Sequence, residues 1–272
     1  MLEEIDLVKA GRTSTAPAFR RFRAYRGAVQ EVGWIALNMA AWPLTLVDEA
    51  VRTSAGKIRK EPELPTRVKP AKEAAEVPIL LVHGYLQNRG GLLFMQRSLK
   101  KQGFKNVHVF SYNPVRKSIP EMAECLSLRV DQVMARTGAK QIHLVGHSLG
   151  GLICRYYVEQ MSCSKKIHTL VTVATPHNGT VMAYGGRSPA ARQMRPDSEF
   201  IKTMKNSRKP RSIRYISYYS NLDAIVLPAR SAILSNGNGS NVRNILVHDM
   251  GHLSLLISPE LITSVGSTLS ES

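Results

Sequence analysis

Residues 142 to 151 read IHLVGHSLGG, an apolar run of strand character that enters a turn with Ser148 at its tip. Residues 152 to 158 continue in a helical pattern. Gly146, His147, Ser148, Leu149 and Gly150 therefore make G-x-S-x-G between a strand and a helix. The turn strains the serine backbone, and only glycines two positions to either side let the strand and helix close on it. Few folds accept such a unit. The strand has to end at an open sheet edge, and the helix has to leave from that point and pack back on the sheet. The Ser148 hydroxyl then stands exposed at the edge, while the N–H of Leu149 points to where an oxyanion would form.

The chain from Val77 onward has the alternation that this unit needs. Residues 77 to 82, VPILLV, are a short continuous apolar run, as expected of a strand buried on both faces of a parallel sheet. Further strands are expected at 106–112, 141–145, 167–174, 213–220 and 243–247. Helical stretches separate them. One covers 91–102. Another opens at Ser118, Ile119, Pro120 and Glu121, which read as a capping box with proline in the first turn. Its apolar stripe is Met122, Leu126, Val130 and Val133, and Gly138 ends it. The expected fold is α/β: a doubly wound, mostly parallel sheet of about six strands flanked by helices, with an α-helical N-terminal extension.

The boundary falls near Val77, because residues 57 to 76 are charged and contain three prolines, the composition of a linker. Residues 1–76 are then a helical extension and linker, and 77–272 the catalytic domain. Within the extension, Arg20, Arg21, Arg23 and Arg26 precede residues 32 to 47, which carry no charge and are apolar almost all round a helix. This run is shorter than the roughly 20 residues of a spanning helix and contains Pro43, so it is expected to pack on the domain, lie in a membrane interface, or anchor. The net charge of +17 sits almost wholly on the catalytic domain. It fits a solvated basic face or attraction to an anionic membrane surface; no nucleic-acid signature accompanies it, so nucleic acid is not the expected partner. Cys125, Cys154 and Cys163 are odd in number and lack metal-ligand spacing, which points to free thiols in a reducing compartment. No cleavable signal pattern is evident at the N-terminus, so a cytoplasmic or membrane-associated location is expected.

A serine hydroxyl is a poor nucleophile at neutral pH and needs a base, an acid to orient that base, and oxyanion donors. His83, Gly84 and Tyr85 follow the first strand of the domain, where the N–H of Tyr85 can face the same point as that of Leu149. Asp223 comes directly after the strand at 213–220, at the carboxyl end where a doubly wound sheet presents catalytic groups. His252 follows the last strand, with Gly251 before it. Asp249 competes with Asp223 for the acid, but it is only three residues from His252, whereas an acid from a neighbouring strand end meets the far ring nitrogen without a strained turn. His83 and His177 are expected to brace loops, and His108, His143, His147 and His168 to be packed or surface histidines. Nothing has the spacing of a metal site or a dinucleotide fingerprint, so no cofactor is expected.

With these residues assembled, the chain resembles bacterial α/β-hydrolase lipases and esterases, in particular those of minimal fold. The similar stretches are VHGY, VGHSLGG, VATPHNGT (173–180), SNLDAIVLP and HDMGHLSLL, which together span most of residues 77 to 265. The resemblance implies Ser148 as nucleophile, His252 as base, Asp223 as orienting acid, and Tyr85 and Leu149 as backbone oxyanion donors. It implies a serine carboxylester hydrolase acting on an acyl ester or lipid. The alternatives are an acyltransferase or thioesterase with the same triad, or a silent module that keeps the fold and binds a membrane surface or a protein. Two departures stand out: the N-terminal 76 residues, and a basic segment between 180 and 212 whose only acids are Asp197 and Glu199. That segment is a candidate lid, a lipid-facing surface, or an ordinary solvated connection.

Overall fold

A computed structural model describes residues 4–6, 70–87, 89–236 and 241–271. The expectations for the apolar run at 32–47, the arginines before it and most of the linker lie outside the described residues. In chain order the strands are β1 (Glu4–Asp6), β2 (Ile79–Val82), β3 (Val107–Phe110), β4 (Ile142–His147), β5 (Ile167–Val173), β6 (Arg214–Ser220) and β7 (Asn241–Val247). The helices are α1 (Lys72–Glu76), α2 (Leu93–Lys101), α3 (Ile119–Thr137), α4 (Leu149–Gln160), α5 (Pro189–Gln193), α6 (Glu199–Asn206) and α7 (Pro259–Ser270).

The strands form one sheet in the order β1-β7-β6-β5-β4-β2-β3, and every neighbouring pair is parallel. Six of the seven are the expected ones. The seventh, β1, adds three residues along Asn244 to Leu246 at the edge. Two of those three are acidic, so no apolar alternation marked them as strand. From β2 the chain runs outward to β3 and then returns past β2 to form β4. The direction of winding reverses between β2 and β4, which opens a crevice at their carboxyl ends, the usual ligand position in such sheets.

Period-2 alternation divides the core into two layers. Leu80, Val82, Leu144 and Leu170 face α3 and α4, meeting Met122, Leu126, Val130, Leu152 and Tyr157. Ile79, Leu81, Val145 and Val171 face the other way, toward Met95 and Leu99 of α2 and Leu261, Val265 and Leu269 of α7. Both layers are apolar and buried, and each fully buried Leu, Ile or Val in them contributes about 1.5–3 kcal/mol. The start of α3 is built as expected: the Ser118 N–H donates to Glu121 Oε2 at 2.8 Å while Ser118 Oγ accepts from the Glu121 N–H. Gly138, at φ 69°, closes it with an N–H bond to the Met134 carbonyl. These helices hold β2 and β4 rigid from both sides, and with them the crevice.

Candidate active site

The turn after β4 shows why its glycines are needed. A Cβ on Gly150 would lie 2.3 Å from the Val82 carbonyl oxygen, and one on Gly146 would lie 2.6 Å from Gly151 Cα. β2, β4 and α4 can approach only without those carbons. Ser148 itself sits at φ 52°, ψ −121°, a region that L-residues rarely occupy. Its N–H donates to the Val173 carbonyl at 2.9 Å, so the strained residue is tied to the end of β5. Leu149 is the first residue of α4, and its N–H is one of the helix-start donors without an intrahelical acceptor.

Asp223 follows β6 and is 4% exposed. Its Oδ1 accepts the N–H groups of Ile225 and Val226, each at 2.8 Å, and its Oδ2 lies 2.7 Å from Nδ1 of His252. Burial alone would raise the Asp223 carboxyl, but the facing imidazole and the two backbone donors outweigh it and hold the pKa below the ordinary aspartate value. Ionised Asp223 accepts the Nδ1 proton, which leaves His252 Nε2 as the nitrogen able to take a proton. Asp249 does not meet the imidazole through any such bond. It occupies a turn at φ 58°, where its N–H donates to Asn221 Oδ1 at 2.9 Å.

On the other side of the crevice, the loop after β2 carries Tyr85. Gly84 is pressed into place, since a Cβ there would lie 3.0 Å from Ser148 Cβ and 2.9 Å from His147 Nδ1. His83 braces this loop. Its ring stacks on Tyr112 at 4.1 Å, the Tyr112 hydroxyl donates to the His83 carbonyl at 2.5 Å, and burial pushes its pKa down to about 4. Both ring nitrogens face the loop backbone, Nδ1 the Gly84 carbonyl at 3.0 Å and Nε2 the Tyr112 N–H at 3.5 Å, as a bracing residue requires. The Tyr85 hydroxyl shares a 2.9 Å hydrogen bond with Ser188 Oγ, the N-cap of α5.

The basic segment is laced to the domain at several points. Thr180 Oγ donates to the Ile225 carbonyl at 2.7 Å and accepts the Leu227 N–H at 3.0 Å, so the segment begins on the loop that carries Asp223. Gln193 Oε1 accepts the Ile119 N–H at 2.7 Å. At its far end Arg155 of α4, 2% exposed, holds Glu159 through two nitrogens and donates to the Met204 carbonyl at 2.7 Å. His177 is buried in the same network, bonded to Thr172 Oγ at 3.0 Å. Leu86, Val181, Met182 and Tyr184 remain about half exposed and Leu222 about a third, on segments that follow the carboxyl ends of β2, β5 and β6.

His147 is the functional candidate that sequence reasoning missed. Its place at the end of an apolar strand groups it with the packed histidines, and it is indeed 1% exposed. Yet its ring lies 4.7 Å from that of His252, and its Nε2 is 3.2 Å from the His252 carbonyl oxygen. Its place beside Ser148 in the turn was the available signal.

The sheet, the reversal point and the strained serine define the α/β-hydrolase fold. Solved structures agree on it: the mature lipase BlEst2 of Bacillus licheniformis superposes with a TM-score of 0.60 at 17% identity, covering 79% of this chain and 96% of that one. Lipase B of Aspergillus fumigatus gives 0.60 at 19% identity over 76% of this chain and 55% of that one. Within the fold, the chain belongs to the palmitoyl protein thioesterase family, whose sequence model matches residues 78–222, just over half of the chain. Among curated proteins it is 40% identical over 60 residues to a triacylglycerol lipase of Pseudarthrobacter phenanthrenivorans, 22% of this chain and 18% of that lipase. It is 27% identical over 110 residues to the lysosomal thioesterase PPT2-B of Xenopus laevis, 38% of this chain and 36% of that protein. The chain thus spans less than a fifth of the length of the triacylglycerol lipases it matches, 18% and 16%.

Proposed function

We propose that the protein is a serine hydrolase of carboxylic ester bonds, lipase-like, working through an acyl-enzyme. The observation that carries this reading is the buried Asp223–His252 pair at 2.7 Å, whose imidazole lies 4.7 Å from the ring of His147, the chain neighbour of Ser148 in the strained strand-to-helix turn. In the reaction, His252 Nε2 takes the Ser148 hydroxyl proton as Oγ attacks the carbonyl carbon. The N–H groups of Tyr85 and Leu149 receive the oxyanion. Collapse of the tetrahedral intermediate breaks the bond to the leaving alcohol, which takes the proton from His252. Water then repeats the sequence on the acyl-enzyme, releasing the acid and restoring the Ser148 hydroxyl. Asp223 holds the imidazole in the tautomer that these transfers need.

The substrate proposed is an acyl lipid met at an anionic surface. Half-exposed aliphatic and aromatic side chains follow the carboxyl ends of β2 and β5, and Arg187 and Arg192 are carried on the basic segment, so apolar contact and charge attraction act together. A thioester is the second reading, favoured by the family match, because the same attack and oxyanion serve either leaving group. One experiment tests both. A fluorophosphonate probe should label wild-type protein at Ser148, and palmitate presented as a p-nitrophenyl ester and as a coenzyme A thioester should then be compared by kcat/KM. No labelling removes the hydrolase reading; a thioester preferred by more than about tenfold, roughly 1.4 kcal/mol in the barrier, makes the protein a thioesterase.

A further inference from the structure

His147 bridges two loops that the chemistry needs in register. Its Nδ1 lies 3.0 Å from Gln87 Oε1, and the same oxygen accepts the Gly84 N–H at 2.9 Å. That second bond fixes the Gln87 atom as oxygen, since an amide NH2 could not face a backbone N–H. On the opposite side, His147 Nε2 faces the backbone carbonyl of His252 at 3.2 Å. One ring therefore touches the loop that carries the Tyr85 N–H and the loop that carries the proposed base. Both partners are acceptors.

We propose that His147 is a positioning residue: a strut that sets the distance between the Gly84–Gln87 loop and the His252 loop across the crevice. This rests on the hydrolase reading above. Burial and the neighbouring His252 push the His147 imidazole well below its ordinary pKa, so it is neutral and carries one ring proton. A neutral ring satisfies only one of two acceptors at a time. The Gln87 side is the shorter contact, and with the proton there the loop under Tyr85 is held by both Gly84 N–H and His147 Nδ1–H acting on one amide oxygen. The ring edge then fixes how near the His252 carbonyl comes. Loss of the strut moves the oxyanion donors relative to the base, and a misplacement of that kind lowers turnover more than it lowers ground-state binding.

The test is a set of three variants, with kcat expressed per site titrated by fluorophosphonate so that lost folding does not count. His147→Phe keeps the ring and removes both polar contacts. His147→Asn keeps a donor near the Nδ1 position, and His147→Gln places one near Nε2. On p-nitrophenyl butyrate, His147→Phe is expected to lower kcat about 10- to 100-fold, the range for losing an orienting partner, with KM within about twofold. His147→Asn should recover most of that loss and His147→Gln less. A His147→Phe enzyme with kcat within twofold of wild type overturns the proposal, as does equal activity of all three variants. Should His147→Phe not fold, the pair His147→Gln, which withdraws the donor from the Nδ1 side, and Gln87→Leu decides. Losses smaller in the double variant than the product of the single ones support a shared strut, and independent losses overturn it. Absence of labelling in the wild type would instead remove the hydrolase reading and this one with it.

Discussion

Arg155–Glu159 and Asp223–His252, two buried acid–base pairs among the described residues, differ in how completely they are satisfied. Arg155 spends its guanidinium on Glu159, the Met204 carbonyl, Ser207 and His177, and Glu159 in turn accepts from Ser207. Asp223 and His252 are joined by one bond at 2.7 Å, and the carboxylate is completed by two backbone donors, while the proposed reaction uses Nε2 of the imidazole for the reacting proton. Both pairs are only a few per cent exposed. A closed network in a low-dielectric interior holds structure, in this case α6 against α4. In the proposed reaction the second, open pair does chemistry, because a ring nitrogen not spent on structure is where substrate protons pass. Burial and charge alone do not separate the two; counting the remaining donors and acceptors does.

The contrast is broken most directly at the proposed nucleophile. Ser148→Ala should lower ester hydrolysis by about 10⁴- to 10⁶-fold while leaving circular dichroism unchanged, since the hydroxyl is not part of either core layer. Retained turnover in a folded variant would take the open pair out of the chemistry altogether. Next in size, Asp223→Asn should cost about 10³- to 10⁴-fold in kcat through the wrong imidazole tautomer. Asp249→Asn, which keeps the backbone bond to Asn221, should cost less than about tenfold. The reverse ranking on a short-chain ester would assign the acid to Asp249.

The closed pair makes the opposite prediction. Arg155→Met strands the Glu159 carboxylate in the interior and should cost about 3–5 kcal/mol of stability by chemical denaturation, with kcat per folded site nearly unchanged. A large fall in kcat at constant stability would show that the closed network also acts on the reaction. The smallest effect is the acid dependence of the open pair. Asp223 has a folded pKa below its unfolded value of 3.8, so its contribution to stability is fully present above that value and is lost as pH falls through the folded pKa. Wild-type protein should therefore lose stability relative to Asp223→Asn as pH drops below about 4. Parallel melting curves from pH 5 to pH 2 would show that the carboxylate is not held down by its partners.

The amino-acid sequence by itself determined the strand–turn–helix unit at Ser148, the α/β alternation and the caps of α3, and it offered Asp223 ahead of Asp249 as the expected acid. Each is local or nearly so: glycine spacing, period-2 apolar runs, a Ser-x-x-Glu box, and a carboxylate placed just past a strand end. Only the tertiary structure decided what His147 touches, because its partners, Gln87 and the His252 carbonyl, are 60 and 105 residues away. The same holds for the basic segment, whose composition allowed a lid, a lipid-facing surface or a solvated connection, and whose attachment depends on Thr180 meeting the Asp223 loop and Arg155 meeting Met204. β1 also escaped sequence reading, since an edge strand of three residues gains its hydrogen bonds from β7 and not from any pattern of its own. Periodicity and capping are written in neighbouring residues and can be read there. Which buried polar group meets which is set by how the sheet winds, and that depends on the packing of the whole domain.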